Sequence, residues 1–303
     1  MRDTPPPLVS AKAFAKINLS LRILGKRPDG YHDVETVMVS IGLFDTLSVD
    51  ERPGPFSIAC NDARVPCDVD NVVWRATELV WRAAQRNGPP RDLAIAIDKR
   101  IPVQAGLGGG SADAAATIRA LQALWRRRFD AEVEHEIARK LGADVAFFLE
   151  GGTQVGEGRG DRLSRLSDVP PWPIVLVVPP FGVPTADAYR WFDADPRAAG
   201  SAGLDWPLTT EGWDAQLSVL GNDLEGVVAA RHPEITEIGG LLREAGARFA
   251  AMTGSGSAVF GVFGSEKLAQ TAAAAVSSRV PWRVWITKTL TAAEVRKASI
   301  AEQ

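Results

Sequence analysis

Apolar and polar residues alternate from Phe14 to Ile23, with Ile17, Leu19, Leu21 and Ile23 on one side and Lys16, Asn18, Ser20 and Arg22 on the other. This period of two predicts a half-buried strand. A rise of about 3.3 Å per residue sets Lys16 and Asn18 roughly 6.6 Å apart on one face. From the pattern alone that face is either solvated or addresses a single ligand. The turn sequence Arg27-Pro28-Asp29-Gly30 follows and presents Tyr31 and His32 at its exit. Shorter runs at 34–39, 46–50 and 56–60 read as further strands. A helix is predicted over 71–87, with Asp70 as its cap, an apolar stripe of Val72, Val73, Ala76, Leu79, Val80 and Ala83, and Gly88-Pro89-Pro90 as its stop. Leu93, Ile95 and Ile97 alternate as a strand, and a helix over 132–141 ends at Gly142.

The texture changes near residue 167, where 168–173 reads as a connection between domains 1–168 and 169–303. Beyond it the pattern predicts a strand at 174–178 and a helix carrying Tyr189, for which Thr185 is a candidate cap. Helices starting at 224 and 233, strands at 248–252, 258–262 and 282–287, and a helix at 265–276 complete the series. The tract 193–214 has no usable period and receives no function. The mixture of segregated helices and strands is an α+β pattern.

Chemistry concentrates in 102–113, Pro-Val-Gln-Ala-Gly-Leu-Gly-Gly-Gly-Ser-Ala-Asp, where four of five consecutive residues are glycine. Glycine costs backbone entropy and packs nothing, so the cluster predicts a loop whose N–H groups approach something closely. It leads into helix-forming sequence, with Ser111 placed as an N-cap, and a helix N-terminus favours anions. The loop matches neither the Walker A nor the dinucleotide pattern, so a glycine-rich structural turn stands as the alternative.

At 303 residues the chain has length for two domains, and a net charge of −3 argues against a nucleic-acid or membrane surface. The longest basic run, Arg126-Arg127-Arg128, reads as a solvated helix end. Cys60 and Cys67 form neither a disulfide framework nor a zinc pattern, which points to a reducing compartment. With no apolar run of spanning length, and no apolar core in the proline-rich first ten residues, a cytoplasmic protein is expected.

The 102–112 stretch resembles the ATP-binding loop of the GHMP small-molecule kinases, and its Gly-Leu-Gly-Gly-Gly-Ser form is most similar to the 4-diphosphocytidyl-2-C-methyl-D-erythritol kinase family. Residues 14–19 resemble that family's Pro-Ala-Lys-Ile-Asn-Leu, with Phe14 in place of proline. Residues 141–147 resemble Leu-Gly-Ala-Asp-Val-Pro-Phe, with Ala146 in place of proline. Arg-Pro-Asp-Gly-Tyr-His at 27–32, Asn-Asp-Leu-Glu at 222–225 and Thr-Gly-Ser-Gly-Ser at 253–257 also match, whereas Asp161 replaces the usual Glu.

The resemblance implies the two-domain GHMP kinase fold, with an S5-like N-terminal domain and a ferredoxin-like αβ C-terminal domain. It implies ATP and Mg²⁺ as cofactors, and CDP-methylerythritol, phosphorylated on its tertiary 2-hydroxyl, as the small-molecule substrate of a monomer or weak homodimer. Asp144 would take the proton of the attacking hydroxyl and Lys16 would stabilise the charge. Pro102, Val103, Gln104, Ala105, Gly106, Leu107, Gly108, Gly109, Gly110, Ser111 and Ala112 would cradle the ATP phosphates, with Ser111 as a metal contact. Asn71 and Lys99 match positions near the nucleotide, although each read by itself is a surface residue. Asn18, Tyr31, His32, Thr185 and Tyr189 would face the substrate, with Tyr31 and Tyr189 on opposite faces of the cytosine ring and His32 at its edge. A mevalonate- or homoserine-type kinase would share the loop and the aspartate without a cytosine clamp. A non-catalytic nucleotide-binding module would keep the glycines and lose Lys16 or Asp144, both of which are present.

Overall fold

The computed structural model describes residues 8–196, 198, 200–203 and 212–302. Strands β1 (Leu8–Lys26) and β2 (His32–Asp50) form a long antiparallel hairpin. It closes at the expected turn, where Gly30 has φ +86°. The runs at 34–39 and 46–50 are two ends of β2. They read as separate strands because each has its own partner: β4 (Ala94–Asp98) pairs with 46–50, and β5 (Thr153–Gly158) pairs with 34–39. Strand β3 (Ser57–Cys60) runs parallel to β4, and β6 (Arg162–Arg165) pairs with β5. Helices α1 (Val72–Ala83), α2 (Gly109–Leu124), α3 (Ala131–Leu141) and α4 (Val145–Glu150) complete this part, with α1 and α2 packed in one core with Val9, Ala11, Met38 and Leu47.

The second sheet has the order β10-β7-β9-β8, all antiparallel, from β7 (Pro173–Val178), β8 (Phe249–Met252), β9 (Val259–Val262) and β10 (Arg283–Lys288). Its helices are α5 (Thr185–Ala194), α6 (Trp213–Gln216), α7 (Glu225–Ala229), α8 (Glu234–Glu244) and α9 (Glu266–Ser277). The sequence reading assigned no element to α4, β5, β6 or α6, and it also missed the last two elements of the chain. Helix α10 (Ala292–Ala298) carries a Thr291/Glu294 capping box, and β11 (Ile300–Glu302) pairs with β1 in the first sheet.

The expectation of a half-buried β1 is wrong, because every residue from Ala13 to Leu21 is buried. Ile17 and Leu19 pack in one core with Val37 and Val39 of β2 and Ile174, Leu176 and Phe260 of the second sheet. The polar side is covered by loops. β1 slips register against β2 between Phe14 and Lys16 and between Asn18 and Ser20, as bulges do. Around these slips, strand amides leave the ladder. Lys16 N–H donates to Leu107 O (3.1 Å), Asn18 N–H to Thr253 Oγ1 (2.9 Å) and Leu21 N–H to Gly221 O (2.8 Å).

Three caps also differ from expectation. Asn71, not Asp70, caps α1, because its Oδ1 accepts from Val73 N–H (2.8 Å), and the helix ends at Ala83 just before Gln85 turns to φ +58°. Gly108, not Ser111, stands at the cap of α2, and Pro184 stands there for α5, leaving Thr185 as its first residue. The tract 193–214 is not all loop. Asp193 belongs to α5, and Trp213 of α6 is fully buried, its indole donating to Ser167 O (2.9 Å). Residues 197, 199 and 204–211 of that tract lie outside the described residues.

The glycine loop is wedged against the turn that joins β8 to β9. Gly106 has φ +76°, and a Cβ placed there would fall inside the van der Waals surface of the Thr253 carbonyl. Overpacking costs about 1–3 kcal/mol and left-handed backbone for alanine about 1–2 kcal/mol. Gly106→Ala is therefore expected to lower unfolding free energy by about 2–5 kcal/mol in urea titrations. Gly110→Ala, whose Cβ would meet only Val72 Cγ1 at 3.7 Å, should fold as stably as the parent or slightly more so.

Candidate active site

One cavity of about 1230 Å³ is lined by the glycine loop, the polar side of β1 and the N-terminal part of α5. Lys16, Asn18, Tyr31, His32, Asn71, Lys99, Asp144, Thr185, Tyr189 and loop residues 102–111 all line it. Ala112 does not, since its side chain is part of the core under α2.

The loop is built for an anion. Gly108, at φ +70°, turns the chain into α2, and the first intrahelical bond runs from Ala112 N–H to Gly108 O (2.9 Å). The amides of Gly109, Gly110 and Ser111 precede that bond at the positive end of a sixteen-residue helix. Ala105 and Leu107 face the core instead, so the loop presents backbone to the cavity while two of its side chains anchor it.

Lys16 is buried against this loop. Its Nζ donates to Gly106 O (2.9 Å) and to Asn18 Oδ1 (2.5 Å). Thr36 Oγ1 gives its hydrogen to Ser20 O (2.7 Å) and so accepts from Asn18 Nδ2 (2.7 Å), which leaves the Asn18 oxygen turned toward Lys16. Asn18, predicted as a substrate contact, thus has both amide atoms engaged within the protein. Burial pushes the Lys16 ammonium below its ordinary pKa, and the charge of Asp144 works in the opposite direction.

Asp144 stands at the cap of α4, half-buried, and no described residue donates a hydrogen bond to its carboxylate. Its field reaches Tyr189 as well as Lys16. Arg119, projecting from α2, donates to the carbonyls of Phe148 (2.7 Å) and Leu149 (2.5 Å) and so ties down the end of the short helix that Asp144 begins.

Asn71 and Lys99, which read singly as surface residues, are buried. Asn71 Nδ2 donates to Pro66 O (2.5 Å) while its oxygen caps α1. Lys99 Nζ bridges Asp45 Oδ2 and Asp113 Oδ2, both at 2.6 Å. Asp45 also accepts from the amides of Arg100 (2.5 Å) and Ile101 (2.7 Å). Asp113 Oδ1 has no partner. Two carboxylates and one ammonium would leave a net buried charge. Burial, reinforced by repulsion from Asp45 against the pull of Lys99, pushes Asp113 up to about 8. For Lys99, burial acts downward but the fields of Asp113 and Asp45 outweigh it, and its pKa is raised. A Cβ at Gly109 would lie 3.0 Å from Lys99 Nζ, so this triad sits directly beneath the loop.

The remaining predicted contacts gather elsewhere on the cavity wall. Tyr31 is exposed, with the Arg159 guanidinium 4.1 Å from its ring centre. His32 is buried and stacks on Tyr189, with ring centres 4.9 Å apart and planes at 24°. Burial, with Asp144 adding to it, pushes the Tyr189 phenol up to about 12. Thr185 Oγ1 meets Ser255 Oγ at 3.2 Å. Sequence reading missed Asp193, which holds His32 Nε2 at 2.7 Å, and Arg159. Asp193 lay in a stretch without period, although the α5 helical repeat runs through it.

Models of the GHMP kinases N terminal domain and GHMP kinases C terminal match residues 71–152 and 211–281. A 4-diphosphocytidyl-2-C-methyl-D-erythritol kinase of Pelotomaculum thermopropionicum is 47% identical over 260 residues, covering 84% of this chain and 89% of its own length. The chain belongs to the 4-diphosphocytidyl-2-C-methyl-D-erythritol kinase family. Another of these kinases, of Desulfitobacterium hafniense, is 41% identical over 92% of this chain and 94% of its own. A crystal structure of 4-(cytidine 5'-diphospho)-2C-methyl-D-erythritol kinase superposes with a TM-score of 0.77 at 36% identity, covering 92% of this chain and 98% of that one. Membership of this kinase family makes the chain an ATP-dependent phosphotransferase with the α+β, two-part GHMP architecture.

The Asp113 shift has a testable sign. Its folded pKa lies above the ordinary 3.8, so between pH 4 and about 8 the unfolded chain releases a proton that the folded chain keeps, and stability falls as pH rises through that window. Asp113→Asn removes this component. Its stability relative to the parent, followed by urea unfolding, is expected to rise between pH 5 and 8 and to level off above.

Proposed function

We propose that this chain transfers the γ-phosphoryl group of ATP to the tertiary 2-hydroxyl of 4-diphosphocytidyl-2-C-methyl-D-erythritol, in non-mevalonate isoprenoid precursor synthesis. One observation carries the reading: a single cavity takes in both the glycine loop and the Tyr31, His32, Tyr189 cluster, with Lys16 and Asp144 on its wall. The loop amides and the N-terminus of α2 bind the ATP phosphates, and the aromatic cluster holds the cytosine. Thr185 and Asn18 lie on the acceptor side, with Asn18 acting through Lys16. Asn71 and Lys99 shape the nucleotide side from beneath the loop.

Phosphoryl transfer depends mainly on positioning and charge stabilisation. Asp144 accepts the hydroxyl proton as the acceptor oxygen bonds to the γ-phosphorus and the bond from that phosphorus to the β,γ-bridging oxygen breaks, releasing ADP. The Lys16 ammonium, fixed by Asn18 and Gly106, stabilises charge on the oxygens in flight. Magnesium supplies charge neutralisation between the phosphates when bound. No three carboxylate, histidine or cysteine residues gather to cage an ion among the described residues. The Ser111 hydroxyl, without a partner there, fits the sparse protein ligation usual for Mg²⁺ held chiefly by phosphate oxygens and water.

The reading divides the chain into an ATP-binding part, 1–168, and a substrate part, 169–303, whose last strand, β11, returns to the first sheet, working as a monomer or weak homodimer in the cytoplasm on a small molecule rather than a nucleic acid. No described helix is long and apolar enough to cross a membrane. ADP release measured with the CDP-alcohol, mevalonate and homoserine should be found only with the first. Turnover of mevalonate or homoserine alone would overturn the cytidyl assignment.

Asp144→Asn should abolish most turnover while calorimetry still detects binding of ATP and acceptor. Near-parental turnover would remove Asp144 from the chemistry. Stacking on a base is worth roughly 1–3 kcal/mol, so Tyr31→Ala or Tyr189→Ala should weaken acceptor binding about 5- to 150-fold with little change in ATP affinity.

A further inference from the structure

His32 is held on three sides. Tyr189 covers one face of its ring, Phe192 lies edge-on with ring centres 6.3 Å apart, and Nε2 meets Asp193 Oδ1 at 2.7 Å. The second Asp193 oxygen takes Lys26 Nζ at 2.5 Å. A carboxylate with a lysine on one oxygen is an acceptor and nothing else, so the hydrogen of the neutral imidazole sits on Nε2. Nδ1 is then a bare lone pair. No described residue donates to it, and His32 lines the cavity.

We propose that Asp193 is a positioning residue that sets the His32 tautomer, so that Nδ1 accepts a hydrogen bond from the 4-amino group of cytosine and the site prefers a cytidyl to a uridyl acceptor. Uracil carries a carbonyl oxygen where cytosine carries that amine. Two acceptors would then face each other, and a buried polar group left unpaired costs about 1–3 kcal/mol. Asp193 touches neither the phosphates nor the hydroxyl under attack, so its effect falls on acceptor choice and not on the chemical step. The inference rests on the cytidyl reading of this cavity.

Lys26 makes the inference testable. In Asp193→Asn the side chain has one acceptor atom, and Lys26, which can only donate, claims it. The amide NH₂ is turned toward His32 Nε2 and forces the ring hydrogen to Nδ1. Expected is a 5- to 150-fold rise in KM for the CDP-alcohol, with kcat at saturating acceptor close to the parent. The ratio of CDP-alcohol to UDP-alcohol kcat/KM should fall by at least the same factor. In Lys26→Met with Asp193→Asn the amide is free to turn its oxygen to His32, and the cytidyl preference should return. A residue that merely tethered the helix would do worse on losing a second tether.

Nitrogen NMR of the parent, whose three histidines are readily separated by substitution, should show the Nε2–H tautomer at His32, and the Nδ1–H form in Asp193→Asn. An unchanged CDP/UDP ratio in Asp193→Asn, or no recovery in the double variant, overturns the proposal. So does an Nδ1–H tautomer in the parent. Absence of CDP-alcohol turnover by the parent would instead overturn the cytidyl reading itself, whatever the NMR shows.

Discussion

A contact between two stretches of backbone governs the molecule. At Gly106 the glycine loop approaches the turn between β8 and β9 so closely that no side chain fits, and the contact is stitched on both sides. Ala258 N–H donates to Ala105 O (3.2 Å), Val183 N–H to Gln104 O (3.2 Å) and Thr253 Oγ1 to Gly106 O (3.2 Å), while Lys16 reaches the same Gly106 carbonyl from β1. Asn222 bonds the carbonyls of Met252 and Gly254 (both 2.8 Å) and holds that turn in place. The loop is therefore a junction of both sheets, held by backbone contacts on either side. A preformed set of amides needs no reorganisation on binding, which is what electrostatic stabilisation requires.

Two buried lysines flank that loop in contrasting settings. Lys99 sits between Asp45 and Asp113 and is raised, a fixed counter-ion within the structure. Lys16 has only neutral acceptors in contact and a single carboxylate acting on it from further off, so burial prevails and its pKa is lowered. The first arrangement braces the scaffold. The second leaves an under-neutralised cation against the loop. The difference lies in the neighbours, since the two residue types and their burial are alike.

Most elements and the glycine loop were legible in the sequence, because hydrophobic period reports element type and glycine clusters report backbone demands, whereas Lys16 and Asp144 were singled out only through the family resemblance. What was illegible came from contacts distant along the chain. The alternation of β1 read as half-exposed because period counts polarity, whereas Lys16, Asn18 and Ser20 are polar residues buried by long-range partners. Lys99 could not be told from a surface residue, since its partners Asp45 and Asp113 become neighbours only in the fold. Asp193 was hidden because a helix end running into an aperiodic tract loses its signature there. The capping box at Thr291 and Glu294 was readable and went unread.

The pairing of β11 with β1 joins residues near the two ends of the chain, Val9 with Glu302 and Ala11 with Ile300. During synthesis the first strand therefore emerges long before its edge partner exists, and its outer rim has unpaired amides until that partner is made. Loop closure over such a separation is the slowest kind of contact to form. The first sheet stays incomplete until β11 has been made, and a nascent chain released short of β11 would present that rim to any other strand it met.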